Sequence, residues 1–242
     1  MPISIAFASL TLATCALGLA GCASSHASAE PAPHAAAPAS GHAAESTKVT
    51  PKDATQRLVE GNARFVAGKG QHARQDPARR TELATSQHPF AVILGCADSR
   101  TGPELLFDQG LGDLFVVREA GNVVDDHTIG SIEYAAEHLH SPLIVVLGHE
   151  RCGAIAAARD TVAANGHGEG HIESLIESIR PAVASTAGQD AEATCKANIR
   201  NVVQALRDSD PLLKHMREKG EVEIVGAYYD LDTGAVTFLP EP

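Results

Sequence analysis

The stretch Phe90-Ala91-Val92-Ile93-Leu94-Gly95-Cys96-Ala97-Asp98-Ser99-Arg100 decides the architecture. Five apolar residues in an unbroken run, closed by a glycine, suit a strand buried on both faces, because a strand with one wet face alternates apolar and polar positions. Leu143-Ile144-Val145-Val146-Leu147-Gly148-His149-Glu150-Arg151-Cys152-Gly153 repeats the arrangement, and residues 114–117 form a third run of the same kind. Between the runs lie helical patterns: a short one at 104–107, and a longer one whose apolar face is Ile129, Ile132, Ala136 and Leu139. Strand, helix, strand, helix, strand predicts the α/β class, with a mostly parallel central β-sheet flanked by helices and joined by right-handed crossovers.

Working outward, Thr50-Pro51 looks like an N-cap and first-turn proline. It opens an N-terminal helical arm running to about residue 67, with Ala54, Leu58, Asn62, Phe65 and Val66 on one face. Downstream, 172–179 and 191–206 read as helices. Residues 222–229 and 235–239 read as a strand pair turning at Asp232-Thr233-Gly234. One domain over 48–242 accounts for all of these elements.

The N-terminal region reads as an address. Residues 2–29 carry no charged side chain, and the apolar run 3–20 leads into Leu19-Ala20-Gly21-Cys22, which resembles the bacterial lipobox. Residues 1–21 are therefore expected to be a lipoprotein signal peptide and Cys22 the acylated residue. The Ala/Pro/Ser-rich segment 22–47 holds too few large apolar side chains to build a core and reads as a flexible tether. These features place the domain outside the cytoplasm, lipid-anchored at the periplasmic face of a bacterial membrane. Lys and Arg number 19 against 30 Asp and Glu, a net charge of −11, which argues against nucleic acid as a partner.

In open parallel sheets, ligands bind beyond the carboxyl ends of the strands, where neighbouring connections diverge. Both reactive segments fall there, so Cys96, His149 and Cys152 can converge. Two thiolates and an imidazole are ligands that Zn²⁺ takes readily, and three protein ligands leave the fourth tetrahedral position for water or substrate. A Cys96–Cys152 disulfide is the competing reading in an oxidising compartment. Asp98 and Arg100 lie two apart after the strand end, where both can face the metal and the Arg fork can hold the carboxylate. Cys195, inside a helical pattern, reads as a buried free thiol, and Glu150 and Arg151 as facing solvent or an interface. The loop Gly166-His167-Gly168-Glu169-Gly170-His171 offers no third protein ligand and reads as a flexible connection.

Cys96-x-Asp98-x-Arg100, followed 53 positions after Cys96 by His149-x-x-Cys152, resembles the β-class carbonic anhydrases. The similarity extends over about residues 50–240, through Gly61-Asn62-x-Arg64-Phe65, Asp108-Gln109-Gly110-x-Gly112-Asp113, Arg118-x-Ala120-Gly121-Asn122 and Ile132-Glu133-Tyr134-Ala135. The resemblance implies one zinc per chain, held by Cys96, His149 and Cys152, and reversible hydration of CO2 to bicarbonate and a proton by a zinc-bound hydroxide. It implies that Asp98 either accepts a hydrogen bond from the zinc-bound water or, in a closed form, becomes a fourth ligand. It also implies that Gln87 donates to the substrate across a subunit interface, that Phe115, Ala120 and Tyr134 line the pocket, and that the chain is a homodimer or tetramer with the N-terminal helix embracing its neighbour. Family members with a second, inhibitory bicarbonate pocket build it partly from a Trp; this chain has none, which favours a constitutively open site. Two other readings keep the metal: hydrolysis of CS2 or COS by the same hydroxide, and a non-catalytic tethered zinc-binding protein.

Overall fold

The computed structural model describes residues 49–240; the expected signal peptide, Cys22 and nearly all of the tether lie outside the described residues. In chain order the elements are α1 (Pro51–Val66), α2 (Pro77–Glu82), β1 (Ala91–Gly95), α3 (Pro103–Leu106), β2 (Leu114–Arg118), a 3₁₀ turn (Ala120–Asn122) and α4 (Asp126–Glu137). They continue with β3 (Leu143–His149), α5 (Gly153–Ala163), α6 (Ile172–Ser185), α7 (Ala191–Arg207), α8 (Leu212–Glu218), β4 (Glu223–Tyr229) and β5 (Val236–Phe238). The sheet order is β2-β1-β3-β4-β5, parallel throughout except for the β4–β5 hairpin. β2 and β3 lie on opposite sides of β1, so the connections leaving β1 and β3 diverge at their carboxyl ends. The crevice opens there.

Alternate residues of the central strands serve two cores. Val92, Leu94, Ile144, Val146 and Ile224 face the helices from α4 to α8. Ala91, Ile93, Leu143, Val145 and Leu147 face α1 and the α3 segment. β1 and β3 are buried along their whole length, as their continuous apolar runs require. β2 differs: every residue is only half-buried, because among the described residues β1 is its one ladder partner and it forms an edge of the sheet.

α1 starts where its cap dictates. Thr50 Oγ1 accepts from Asp53 N–H, and the Asp53 carboxylate accepts from Thr50 N–H, a reciprocal cap of the kind whose removal costs about 1 kcal/mol. Its inner face is Ala54, Leu58, Gly61 and Asn62, while Val66 is exposed. Only glycine fits at 61: a Cβ there would lie 1.7 Å from the Phe107 carbonyl oxygen. Asn62 donates to the carbonyls of Leu106 and Gly234 and accepts from Val236 N–H, which ties α1 to α3 and to the β4–β5 turn of its own chain.

Candidate metal centre

β1 delivers Cys96 one residue past its end, β3 delivers His149 as its last residue, and Cys152 is the N-cap of α5. All three are buried, and their ligand atoms lie within 4.8 Å of one another. The two Sγ atoms are 4.0 Å apart and both cysteines are free, so there is no disulfide. A tetrahedral ion with Zn–S bonds of ~2.3 Å needs sulfurs about 3.8 Å apart, close to this spacing.

The imidazole is oriented for ligation. His149 Nδ1 lies 2.8 Å from the Glu150 carbonyl oxygen, which can only accept, so Nδ1 carries the proton and Nε2 presents its lone pair. Nε2 is buried and has no hydrogen-bond partner. Asn122 Nδ2 and Tyr228 Oη share that condition among the described residues, but only His149 belongs to the triangle. A buried acceptor left without a donor beside two thiols fits a metal ion.

The thiols titrate as a pair. Cys96 is drawn down, first by the hydrogen bond with Cys152 and, against burial, by the backbone N–H groups of Gly121 and Asp98. Cys152 is pushed up by its role as donor to Cys96 and by burial, while the Ile155 and Ala154 N–H groups at the start of α5 work the other way. Gly121 N–H lies 3.3 Å from Cys96 Sγ. Its φ of +74° and the 2.8 Å between an added Cβ and Ile179 Cδ1 make glycine the residue for that place. Behind the site, Cys195 is a buried free thiol, as expected, pushed up to about 12 by burial; its sulfur lies 3.4 Å from the His149 carbonyl oxygen.

Asp98 and Arg100 stand at the mouth. Arg100 Nε donates to Asp98 Oδ1 at 2.9 Å and its second nitrogen to Oδ2 at 2.7 Å, with Arg100 N–H adding 3.0 Å to Oδ1. This fork holds Asp98 well below the usual carboxylate range, against partial burial. Asp98 Oδ2 lies 3.9 Å from His149 Nε2, beyond hydrogen-bond reach but facing the triangle.

A sequence profile of the family described as carbonic anhydrase matches residues 91–236, more than half of the chain and all three candidate ligands. The chain belongs to the carbonic anhydrase family. Carbonic anhydrase 2 of Mycobacterium tuberculosis is 43% identical over 187 residues, covering 76% of this chain and 90% of that one. Among solved structures, the β-carbonic anhydrase CafA of Aspergillus fumigatus has a TM-score of 0.60 at 27% identity, over 78% of this chain and 92% of that one. A tetrameric β-carbonic anhydrase of Sordaria macrospora, 23% identical, shares the fold at a TM-score of 0.60 over 76% and 96% of the two chains.

This β-carbonic anhydrase gathers Cys96, Asp98, Arg100, His149 and Cys152 into one site. Phe115 is half-buried on β2 and packs against the core that includes Cys96 and Cys152; Ala120 is half-buried in the 3₁₀ turn. Gln87 and Tyr134 stand apart. Gln87 is exposed in a groove of about 850 Å³ that it shares with Leu83, Leu111 and Leu114, and that none of the three ligands lines. Tyr134 is 48% exposed on α4 and contacts the His138 ring.

Glu150 and Arg151 do more than face solvent. Glu150 Oε2 accepts from Leu231 N–H, and Arg151 grips Asp232 at 2.6 and 2.9 Å, so the loop between two ligands is latched to the β4–β5 turn. The sequence names both partners but not their meeting, 81 positions apart. His167 lies in an exposed loop against Glu173, and the only metal-competent group among the described residues is the triangle.

Proposed function

We propose that this β-carbonic anhydrase carries out the zinc-dependent reversible hydration of CO2 to bicarbonate and a proton with Asp98 and Arg100 as its working side chains. The observation that carries the reading is the Arg100 fork on Asp98 beside the Cys96, His149 and Cys152 triangle. Zinc held by those three residues would draw the pKa of a water down to about 7, and so would supply a nucleophile at neutral pH.

The chain does the rest. Asp98, ionised and engaged by Arg100, has only acceptors to offer. Its Oδ2 accepts a hydrogen bond from the attacking water, which turns a lone pair towards CO2. By occupying the carboxylate, Arg100 also keeps Asp98 from joining the ligands, so the open form is the resting one. CO2 is small and apolar, and it is held against Phe115, Ala120 and Tyr134, with the Gln87 amide of a neighbouring subunit donating to a substrate oxygen.

The second subunit is supported by what a single chain leaves uncovered: exposed Gln87 and Tyr134, and the outer edge of β2, where no strand pairs among the described residues. A homodimer or tetramer follows from this reading. The address belongs to it as well. Residues 1–21 direct export, Cys22 is acylated, 22–47 tether and 48–242 form the catalytic domain at the periplasmic face of a bacterial membrane. Support for this part comes from Leu19-Ala20-Gly21-Cys22 and the composition around it.

Stopped-flow CO2 hydration by a chain starting at Thr47, with zinc measured on the same sample, tests the activity. Rapid hydration at about one zinc per chain, lost in Cys96→Ser, is expected. Full zinc occupancy without hydration at neutral or alkaline pH would overturn it and leave CS2, COS or zinc binding itself. Release of the full-length chain from the membrane fraction by Cys22→Ser tests the anchor.

A further inference from the structure

The loop carrying Cys96 and Asp98 runs on past the end of β1, where the ladder no longer serves its carbonyls, and each buried carbonyl must find another donor. Ala97 N–H donates to the Glu119 carbonyl at 3.3 Å and Glu119 N–H to that of Gly95 at 3.1 Å, lacing the loop to the segment after β2. The carbonyls of Cys96 and Asp98 turn towards a common point. The buried Thr101 hydroxyl lies 3.2 Å from one and 3.0 Å from the other. Arg118 Nε donates to the Cys96 carbonyl at 2.8 Å, and a terminal nitrogen of the same guanidinium donates to that of Asp98 at 2.5 Å.

Arg118 is the last residue of β2 and is half-buried, yet it pairs with no carboxylate among the described residues. Placing a cation there costs desolvation that no ion pair offsets, and both of its hydrogen bonds go to backbone oxygens of one three-residue loop. With those oxygens drawn to one side, Asp98 N–H points back at the Cys96 sulfur, 3.4 Å away. We propose that Arg118 is a positioning residue of the metal centre, its fork clamping the Cys96 and Asp98 carbonyls and so setting the thiolate that binds zinc and the carboxylate that orients water.

The Asp98 half of this proposal rests on the function proposed above; the Cys96 half does not. Arginine is required rather than lysine, because two carbonyls are spanned by one rigid plane with donors at fixed separation. An ammonium reaches one of them.

The test uses the zinc-loaded protein with Arg118→Met and Arg118→Lys beside the unsubstituted chain. Zinc affinity is read by competition with a chromophoric chelator, the ligand field by the visible spectrum of the cobalt(II)-substituted protein, and kcat and KM by stopped-flow. Arg118→Met is expected to bind zinc about tenfold more weakly, as when a ligand's outer partner is lost, and to shift the cobalt bands. At saturating zinc its kcat falls roughly 10- to 100-fold with KM within about twofold, the pattern of a lost transition-state interaction. Arg118→Lys recovers only part of each.

Wild-type zinc affinity and cobalt bands in Arg118→Met, with or without a lower Tm, would overturn the proposal and make Arg118 an ordinary structural arginine. Weaker zinc and shifted bands with kcat unchanged at saturating zinc would keep the clamp on Cys96 and overturn the reading of Asp98. Should Arg118→Met not fold, Arg118→Lys decides: wild-type values in every readout overturn the clamp, and a partial loss sustains it.

Discussion

Two buried polar side chains, one on a helix and one at a strand end, show how satisfaction separates structure from chemistry. Asn62, on α1, is 6% exposed and spends its amide on three backbone groups of α3 and the β4–β5 hairpin. His149, at the end of β3, is 1% exposed and has one ring nitrogen bonded and the other bare. Burial is the same in kind. A fully partnered amide holds elements together, whereas a bare nitrogen aimed at two thiols holds a ligand.

The comparison breaks most readily at His149. His149→Ala should abolish zinc retention and lower CO2 hydration by about 1,000-fold or more, while Tm measured with excess chelator falls only by what the Nδ1 hydrogen bond to Glu150 and the buried ring contribute, about 1–3 kcal/mol. A fall well beyond that, with zinc still retained, would mean that His149 is structural in the way Asn62 is. Asp98→Asn comes next: kcat about 100-fold lower at unchanged zinc content, read by stopped-flow and metal analysis on one sample. Loss of zinc in that variant would assign the carboxylate to metal retention instead.

At the helix, Asn62→Ala should cost about 2 kcal/mol, a Tm lower by roughly 4–8 °C, with kcat and zinc content per folded chain unchanged; thermal scans and stopped-flow together check it. The smallest effect is in acid. Asp108, next to that seam, is opposed by burial, but the Arg64 guanidinium and the Gln71 and His72 N–H groups hold it below its ordinary value. A depressed folded pKa contributes stability that is present above the unfolded value near 4 and is lost as pH falls through the folded one. Tm should therefore drop more steeply below about pH 4 in the unsubstituted chain than in Asp108→Asn, and equal slopes would show that Asp108 adds no such dependence.

Much of this is legible in the sequence. β1 and β3 announce themselves as unbroken apolar runs, and the reactive residues follow each run directly, so the triangle could be read from strand ends and ligand chemistry. β2 carries the same kind of run, yet it lies at an edge, because a run records apolarity and not the number of neighbours. α5 is not legible in this way: Gly153-Ala154-Ile155-Ala156-Ala157-Ala158 is too rich in alanine to show a face. The short α2 and α8 have few buried side chains to mark them. Arg118 gave no signal of its role, since it works through carbonyl oxygens that every residue carries. Gln87 and Tyr134 are exposed in one chain, and their place at the site rests on the second subunit proposed above.

The β4–β5 turn, short, polar and outward-facing at Thr233, has the profile of a harmless place to splice in a tag or an epitope. Its six residues nevertheless hold two separate parts of the chain, with the Gly234 carbonyl on Asn62, the Leu231 N–H on Glu150 and the Asp232 carboxylate on Arg151. An insertion there would pull at helix α1 and at the loop between two zinc ligands together. The connection at 164–171, exposed or half-exposed throughout, is the better site for grafting.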